Sequence, residues 1–181
     1  MILKQTKYIK KLNKILNSYI SKDDTRPALK GVIHNSQLSA LCSTNGYAAA
    51  VLKSLYNPKL KDIILTKDYQ TIDISYPNIK NILPTRKDYK YSVFAFDEKF
   101  CVKTKHITSL FFYILNDKPT ISFDIQSNCL FCLDAAYLAP LLDGSSYNVA
   151  YKQSLDFVVI NLNNKTDFED SVVIAPLTLT L

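Results

Sequence analysis

The sequence is poor in several residue types that common functions require. Its 181 residues include three glycines, no tryptophan, one methionine and two glutamates. Three isolated glycines leave no glycine-rich loop to wrap a phosphate, which excludes the usual nucleotide folds. No apolar run approaches the roughly 18 residues of a spanning helix, so no membrane association is expected. Lys4, Lys7, Lys10 and Lys11 break any apolar stretch near the N-terminus, so a secretory leader is not expected there either.

Reactive groups are equally sparse. The two histidines, His34 and His106, have no serine or cysteine motif around them. No nucleophile, base and orienter set can be assembled, so the chain is not expected to be an enzyme. Cys129 and Cys132 match C-x-x-C but sit in an apolar strand-like run, where positions i and i+3 face opposite ways. Cys42 and Cys101 form no second pair at ligand spacing. Asp62, Asp68 and Asp73 do not repeat as a metal triad would. Buried structural thiols are expected, with no metal and no cofactor. Free thiols fit a reducing compartment such as the cytoplasm.

What is present is a globular balance, 48% apolar and 21% charged, with 12 tyrosines and 9 phenylalanines. The net charge is +6, and all of it lies in residues 1–30. Eight cations (Lys4, Lys7, Lys10, Lys11, Lys14, Lys22, Arg26 and Lys30) stand there against Asp23 and Asp24. The rest of the chain is balanced. A polyanion would meet that segment as a patch.

The segment reads as a helix. Between Thr6 and Ser21 there is no glycine or proline. Tyr8, Ile9, Leu12, Ile15, Leu16, Tyr19 and Ile20 recur at helical spacing, on an arc of about 140°. Lys4, Lys7, Lys10, Lys11 and Lys14 occupy the opposite arc of about 120°. No acid stands four residues from any of them, so the stripe is not neutralised within the helix. Lysines in one row, with Lys22 and Arg26 beyond, point to sequence-independent contact with DNA phosphates. A merely solvated helix face is the competing reading, although a face built for solubility usually mixes signs.

Along the rest of the chain, Met1–Lys4 is expected as a short strand. Asp23-Asp24-Thr25-Arg26-Pro27 is a turn. Leu29–His34, Leu38–Ser43 and Tyr47–Leu55 read as strands, the last two joined at Asn45-Gly46. Ile63–Leu65 and Thr71–Ser75 read as another pair. Residues 76–84, bounded by prolines, read as a loop with one helical turn. Tyr89–Phe96 and Phe100–Lys105 read as a hairpin across Asp97-Glu98-Lys99. Leu110–Leu115 is too apolar to classify by period. Ile121–Ile125 and Cys129–Leu133 read as strands. Asp134 opens a short helix over Ala135–Leu142, limited by Pro140 and ended by Gly144. Val149–Gln153, Leu155–Leu162 and Ser171–Leu181 are the last strands. The order strand, helix, three strands appears near the start and again near the end, as in a repeated unit. The class is α+β, rich in antiparallel pairing.

Three stretches together resemble the bacterial DNA sliding clamp, the beta subunit of the replicative polymerase. Asp24-Thr25-Arg26-Pro27-Ala28-Leu29-Lys30-Gly31-Val32, followed by Ala40-Leu41-Cys42-Ser43-Thr44-Asn45-Gly46-Tyr47, is similar to the clamp's T-R-P-x-L-x-G strand and A-T-D-G-H-R-L-A turn. Residues 76–84 are similar to its F-P-D-Y-x-x-V-I-P linker. Residues 133–142 resemble its N-A-K-Y-L-L-D-x-L helix, and residues 172–179 its closing V-I-M-P-M-R-L strand. The turn arginine and the closing methionines of the family pattern are absent, replaced by Ala48, Ala175 and Leu177. The family's subunit has three domains, whereas this chain has room for one, or one and a half. So short a clamp-like chain points to a phage or other mobile element.

The resemblance implies a DNA-clamp fold, the processivity fold, with two helices packed on antiparallel sheets. It implies one clamp-like half over 1–84, with the basic helix and the linker, and a second over 85–181. The implied function is a processivity factor that encircles double-stranded DNA as a homo-oligomeric ring of more than two subunits. It tethers a polymerase or other replication protein through a short peptide. Leu29, Thr44, Gly46, Tyr47 and Ala49 would line the peptide groove from the strand and turn. Pro77 and Ile82 would join from the linker, and Val173, Ala175, Pro176 and Leu177 from the C-terminal strand. The alternative is a clamp-fold interaction module or regulator that does not encircle DNA.

Overall fold

The computed structural model describes residues 2–83, 90–95, 107–115, 118–125, 130–141, 143, 145–151, 157–163 and 169–175. Backbone alone is described at 2–6, 90–95, 107–115, 118–125, 130–132, 134, 135, 146 and 151. The chain divides into two compact units. The first is Met1–Leu83 with Glu169–Val172, and the second is Pro84–Phe168 with Val173–Leu181.

The first unit begins with α1, Ile2–Ser18. Met1–Lys4 is therefore not a strand, because helix already runs from Ile2. No breaker separates Lys4 from the periodic run, and extending a formed helix costs far less than starting a new element. Ser18 closes the helix with its hydroxyl donating to the Lys14 carbonyl at 2.8 Å. Leu12, Ile15, Leu16, Tyr19 and Ile20 are buried.

Three strands follow as an antiparallel meander: β1 Gly31–Asn35, β2 Ala40–Thr44 and β3 Ala48–Leu52. A 3-10 turn, Pro27–Lys30, replaces the first two residues of the expected first strand. β4, Ile64–Thr66, pairs with the other edge of β1, and β5, Thr71–Ile72, pairs with β4. Strand order in this unit is β5-β4-β1-β2-β3. Every residue of β2 and β3 is buried, so neither alternates in exposure. α1 lies on one face of the meander, where the Ser43 hydroxyl donates to the Leu16 carbonyl at 2.6 Å. The other face carries a cluster of Ile33, Ala40, Cys42, Val51, Ile64 and Ile79. Tyr76, Ile82 and Leu83 pack on that cluster from the proline-bounded segment. This segment holds one 3-10 turn, Ile79–Ile82, whose second amide, on Lys80, donates to the Asn78 side chain at 3.1 Å. Burial pushes the Cys42 thiol up to about 12, as suits an inert core residue.

The second unit contains a three-stranded antiparallel sheet: β7 Ile107–Leu115, β8 Lys118–Ile125 and β9 Leu130–Asp134. α2, Ala135–Leu138, follows directly and rests on β8 and β9. It passes into a 3-10 turn, Ala139–Leu141, where Pro140 lacks the amide needed to continue an α-helix. β10, Ser146–Tyr151, pairs with β11, Val158–Asn161, and with β6, Lys90–Ala95. The hairpin partner expected for β6, at 100–105, lies outside the described residues. Leu133, Leu138, Leu141, Tyr147, Val149, Val159 and Ile160 are each buried in this unit. The last strand is β12, Asp170–Ile174. Near the end, the expected order of strand, helix and three strands is present as β9, α2, β10, β11 and β12. Near the start the helix and three strands lack the leading strand. Of the C-x-x-C pair, Cys129 lies outside the described residues.

Candidate nucleic-acid interface and partner groove

The basic residues keep one helical row. Lys7, Lys10 and Lys14 are exposed on α1, and Lys11 is half-buried beside them. Lys4 occupies the same row by its backbone position in α1. Lys7, Lys10 and Lys14 enter no ion pair among the described residues. Lys22 is exposed in the segment after the helix. Arg26 is held close to the fold, with its Nε 3.5 Å from the Asp23 carboxylate. Its guanidinium lies against the turn at Gly46, where an added Cβ would come within 2.8 Å of Nη1. Lys30 pairs with Asp24. The positive charge available to a polyanion is therefore concentrated on α1.

The roll of that helix is fixed by a buried acid that the sequence did not single out. Asp170, at the start of β12, is 1% exposed. Its carboxylate accepts from the Tyr8 hydroxyl at 2.9 Å, from the Ser54 amide at 3.0 Å and from the Ser54 hydroxyl. Three donors compensate the desolvated charge. Burial, followed by the hydrogen bond to Asp170, holds the Tyr8 hydroxyl well above the usual tyrosine range. Tyr8 lies one residue from Lys7 and three from Lys11, so this anchor ties the lysine row to the unit's sheet. A lone Asp with partners 116 and 162 residues away leaves no local signature.

The groove residues divide between buried supports and exposed positions. Leu29 and Ala49 are buried. Thr44 is also buried, donating to the Ala48 carbonyl at 2.8 Å and accepting from the Gly46 amide at 3.1 Å. Gly46 has φ +94°, a conformation that L side chains rarely adopt. Tyr47 beside it is 53% exposed, and Pro77 is exposed. Thr44 pairs with Ala49, and Thr44 shares a sheet face with Cys42 by strand alternation. Ile82 packs on that same face. Thr44, Ala49 and Ile82 thus lie on one face of the first unit's sheet, the face away from α1. Tyr76, not among the expected groove residues, packs on the same face, its hydroxyl 3.5 Å from the Gly31 carbonyl. Val173 is buried and Ala175 half-buried in the second unit. Pro176 and Leu177 lie outside the described residues.

Among the described residues no group of three or more His, Cys, Asp or Glu side chains is placed to hold a metal ion. None of their helices is long and apolar enough to cross a membrane.

By sequence, no protein-family model matches the chain, and no curated protein does. By structure the likeness is extensive. A sliding clamp from Bartonella birtlesii bound to griselimycin superposes with a TM-score of 0.63 at 12% identity, over 96% of this chain and 64% of that one. The polymerase III beta subunit of Caulobacter crescentus gives 0.63 at 11%, over 96% and 65%. That of Thermotoga maritima gives 0.60 at 10%, over 97% and 64%. This is the sliding-clamp fold. The sliding-clamp likeness spans nearly all of this chain but less than two thirds of the clamps it matches. Those clamps are bacterial and lend no support to a phage origin. At such identities the match establishes the clamp architecture, an α+β fold of antiparallel sheets and few helices, and leaves ring, ligand and client to be argued from the chain's own residues.

Proposed function

We propose that this chain is a non-enzymatic clamp subunit. It holds duplex DNA without regard to sequence and assembles into a closed ring of more than two copies. The observation that carries the reading is the exposed lysine row of Lys7, Lys10 and Lys14 on α1, free of ion pairs among the described residues. Lysines are point charges without base-reading geometry, so they favour phosphate contact over sequence readout. Lys4, Lys11, Lys22 and Arg26 extend the row as secondary contacts. Segments 1–84 and 85–181 act as the two clamp-like halves, and the protein works in the cytoplasm. A head-to-tail ring closes by pairing edge strands between copies.

The polymerase is tethered by a short apolar peptide seated against the turn, the linker and the C-terminal strand. Support for this comes from Thr44, Ala49 and Ile82 sharing one sheet face, with Tyr47 and Pro77 exposed nearby. Replacing Pro176 and Leu177 by Asp is expected to abolish client binding while duplex affinity and oligomer mass hold.

Sedimentation of the full chain at micromolar concentration tests the ring. A species of more than two subunits is expected. A monomer or dimer contradicts it and favours the second reading, a clamp-fold interaction module that does not encircle DNA.

A further inference from the structure

In the first unit α1 covers only part of its sheet. It packs on β3 and β2, and the strand order leaves β1 and β4 beside it. Two strands are about 10 Å wide, the spacing at which a second helix packs next to a first. The uncovered half is apolar on its helix side, through Val32 of β1 and Leu65 of β4, with Leu41 at the margin. Leu16 and Ile20 close it from the flank of α1. The result is an open groove of about 590 Å³. At its rims stand two poorly covered apolar side chains. Ile9, two turns before Leu16 on the same flank, is 40% exposed, and Tyr69 is 85% exposed. None of the groove's residues belongs to the peptide groove described above.

Two features describe what would fill it. The first is His34, which lines the groove and is 6% exposed. Its Nδ1 accepts from the Asn57 amide at 3.1 Å, so in the neutral ring the proton sits on Nε2. Burial lowers the pKa of this histidine and so favours the neutral ring. Nε2–H has no acceptor among the described residues. This donor is open to the groove and not sealed in the core, so an acceptor on an occupant can take the place of water there. The second feature is charge. Lys67 lines the groove and no acidic residue does, the exposed Asp68 standing next to it in the chain. Lys10 and Lys14 flank it, adjacent on α1 to the lining residues Asn13 and Asn17. A second copy of the chain has no described helix to spare. Its α1 is buried on its own sheet, and its α2 has four residues.

We propose that this groove docks an amphipathic helix of a partner protein, apolar on its inner face and acidic along its edges. The inner face lies on Leu65 and Val32, an oxygen acceptor meets His34 Nε2–H, and the acidic edge meets Lys67.

The test uses the full chain and a fluorescein-labelled 14-residue peptide with leucines at helical i, i+3, i+4 and i+7 spacing and glutamates elsewhere. A matched peptide with lysines in place of the glutamates serves as control. By anisotropy the glutamate peptide is expected to bind at least tenfold tighter than the control. Lys67→Glu, at an exposed position that leaves the fold intact, should weaken binding several-fold, and Leu65→Glu should remove it. Lys80→Ala, exposed on the segment that packs on the opposite face of the sheet, should leave it unchanged. The His34 imidazole nitrogen resonances should shift on peptide addition. Equal binding of both peptides, or binding indifferent to Lys67→Glu, overturns the proposal. So does a groove variant that changes the chain's sedimentation mass while neither peptide binds, since the occupant is then a second copy.

Discussion

Replacing Lys7, Lys10 and Lys14 together by alanine removes three exposed ammonium groups from one face of α1. From Lys7 to Lys14 the helix advances about 10 Å, and duplex DNA presents one charge per roughly 1.7 Å of axis, so phosphates are available to all three. Each engaged lysine adds about 0.9 to the slope of log affinity against log salt, so the triple variant should lose about 2.7 from that slope. Between 50 and 200 mM salt, wild-type affinity should therefore fall about 40-fold more than the variant's. Stability should shift by no more than about 0.5 kcal/mol, because the side chains are exposed and alanine favours helix. Anisotropy with two labelled 30-base-pair duplexes of unrelated sequence measures the slope and its indifference to sequence. A slope reduced by less than about 0.5 would refute the argument and assign the stripe to solubility.

Other expectations follow from packing and titration. Gly31→Ala places a Cβ 2.6 Å from the Leu65 carbonyl oxygen and 2.8 Å from Ile64 Cγ2. It should cost about 1–3 kcal/mol, read from the denaturant midpoint, by forcing β1 and β4 apart, and an unchanged midpoint would contradict the register. Burial raises the Tyr8 and Tyr76 hydroxyls above the usual tyrosine range. A raised folded pKa stabilises below the unfolded value near 10 and loses that contribution as pH climbs above it. The wild type should thus lose stability above about pH 10 more steeply than Tyr8→Phe or Tyr76→Phe, and equal alkaline slopes would contradict the buried hydroxyls.

How legible each part was in the sequence depends on the range of the interactions that define it. α1 could be read because its period is local and no breaker interrupts it. Its two ends, where backbone groups lack helical partners, were misread: the first turn is helix and not strand, and the helix stops at Ser18 and not at Ser21. β2 and β3 could be read from the Asn45-Gly46 turn. Their missing alternation has a plain cause, since α1 covers one face and the 76–83 segment the other. β7 could not be assigned by period, because Leu110–Leu115 is an unbroken apolar run. The pairing of β6 with β10 joins residues about fifty apart and leaves no trace in either strand alone. The lysine row was visible as composition plus period. The Asp170 anchor was not, because Tyr8 and Ser54 reach it only across the fold. Nor was the groove beside α1, since His34 and Leu65 become neighbours of the helix only once strand order is known.

The central claim is that the protein encloses DNA, and topology tests it more directly than affinity does. The full chain, assembled on a closed circular duplex with whatever loading factor it needs, is passed over a sizing column in high salt. It is then compared with the same sample after the circle has been cut once. Retention on the closed circle and loss from the cut one is the predicted result, because a ring slides off a free end whatever its charge contacts. Equal retention on both, or equal loss from both, would contradict enclosure and leave ordinary electrostatic binding.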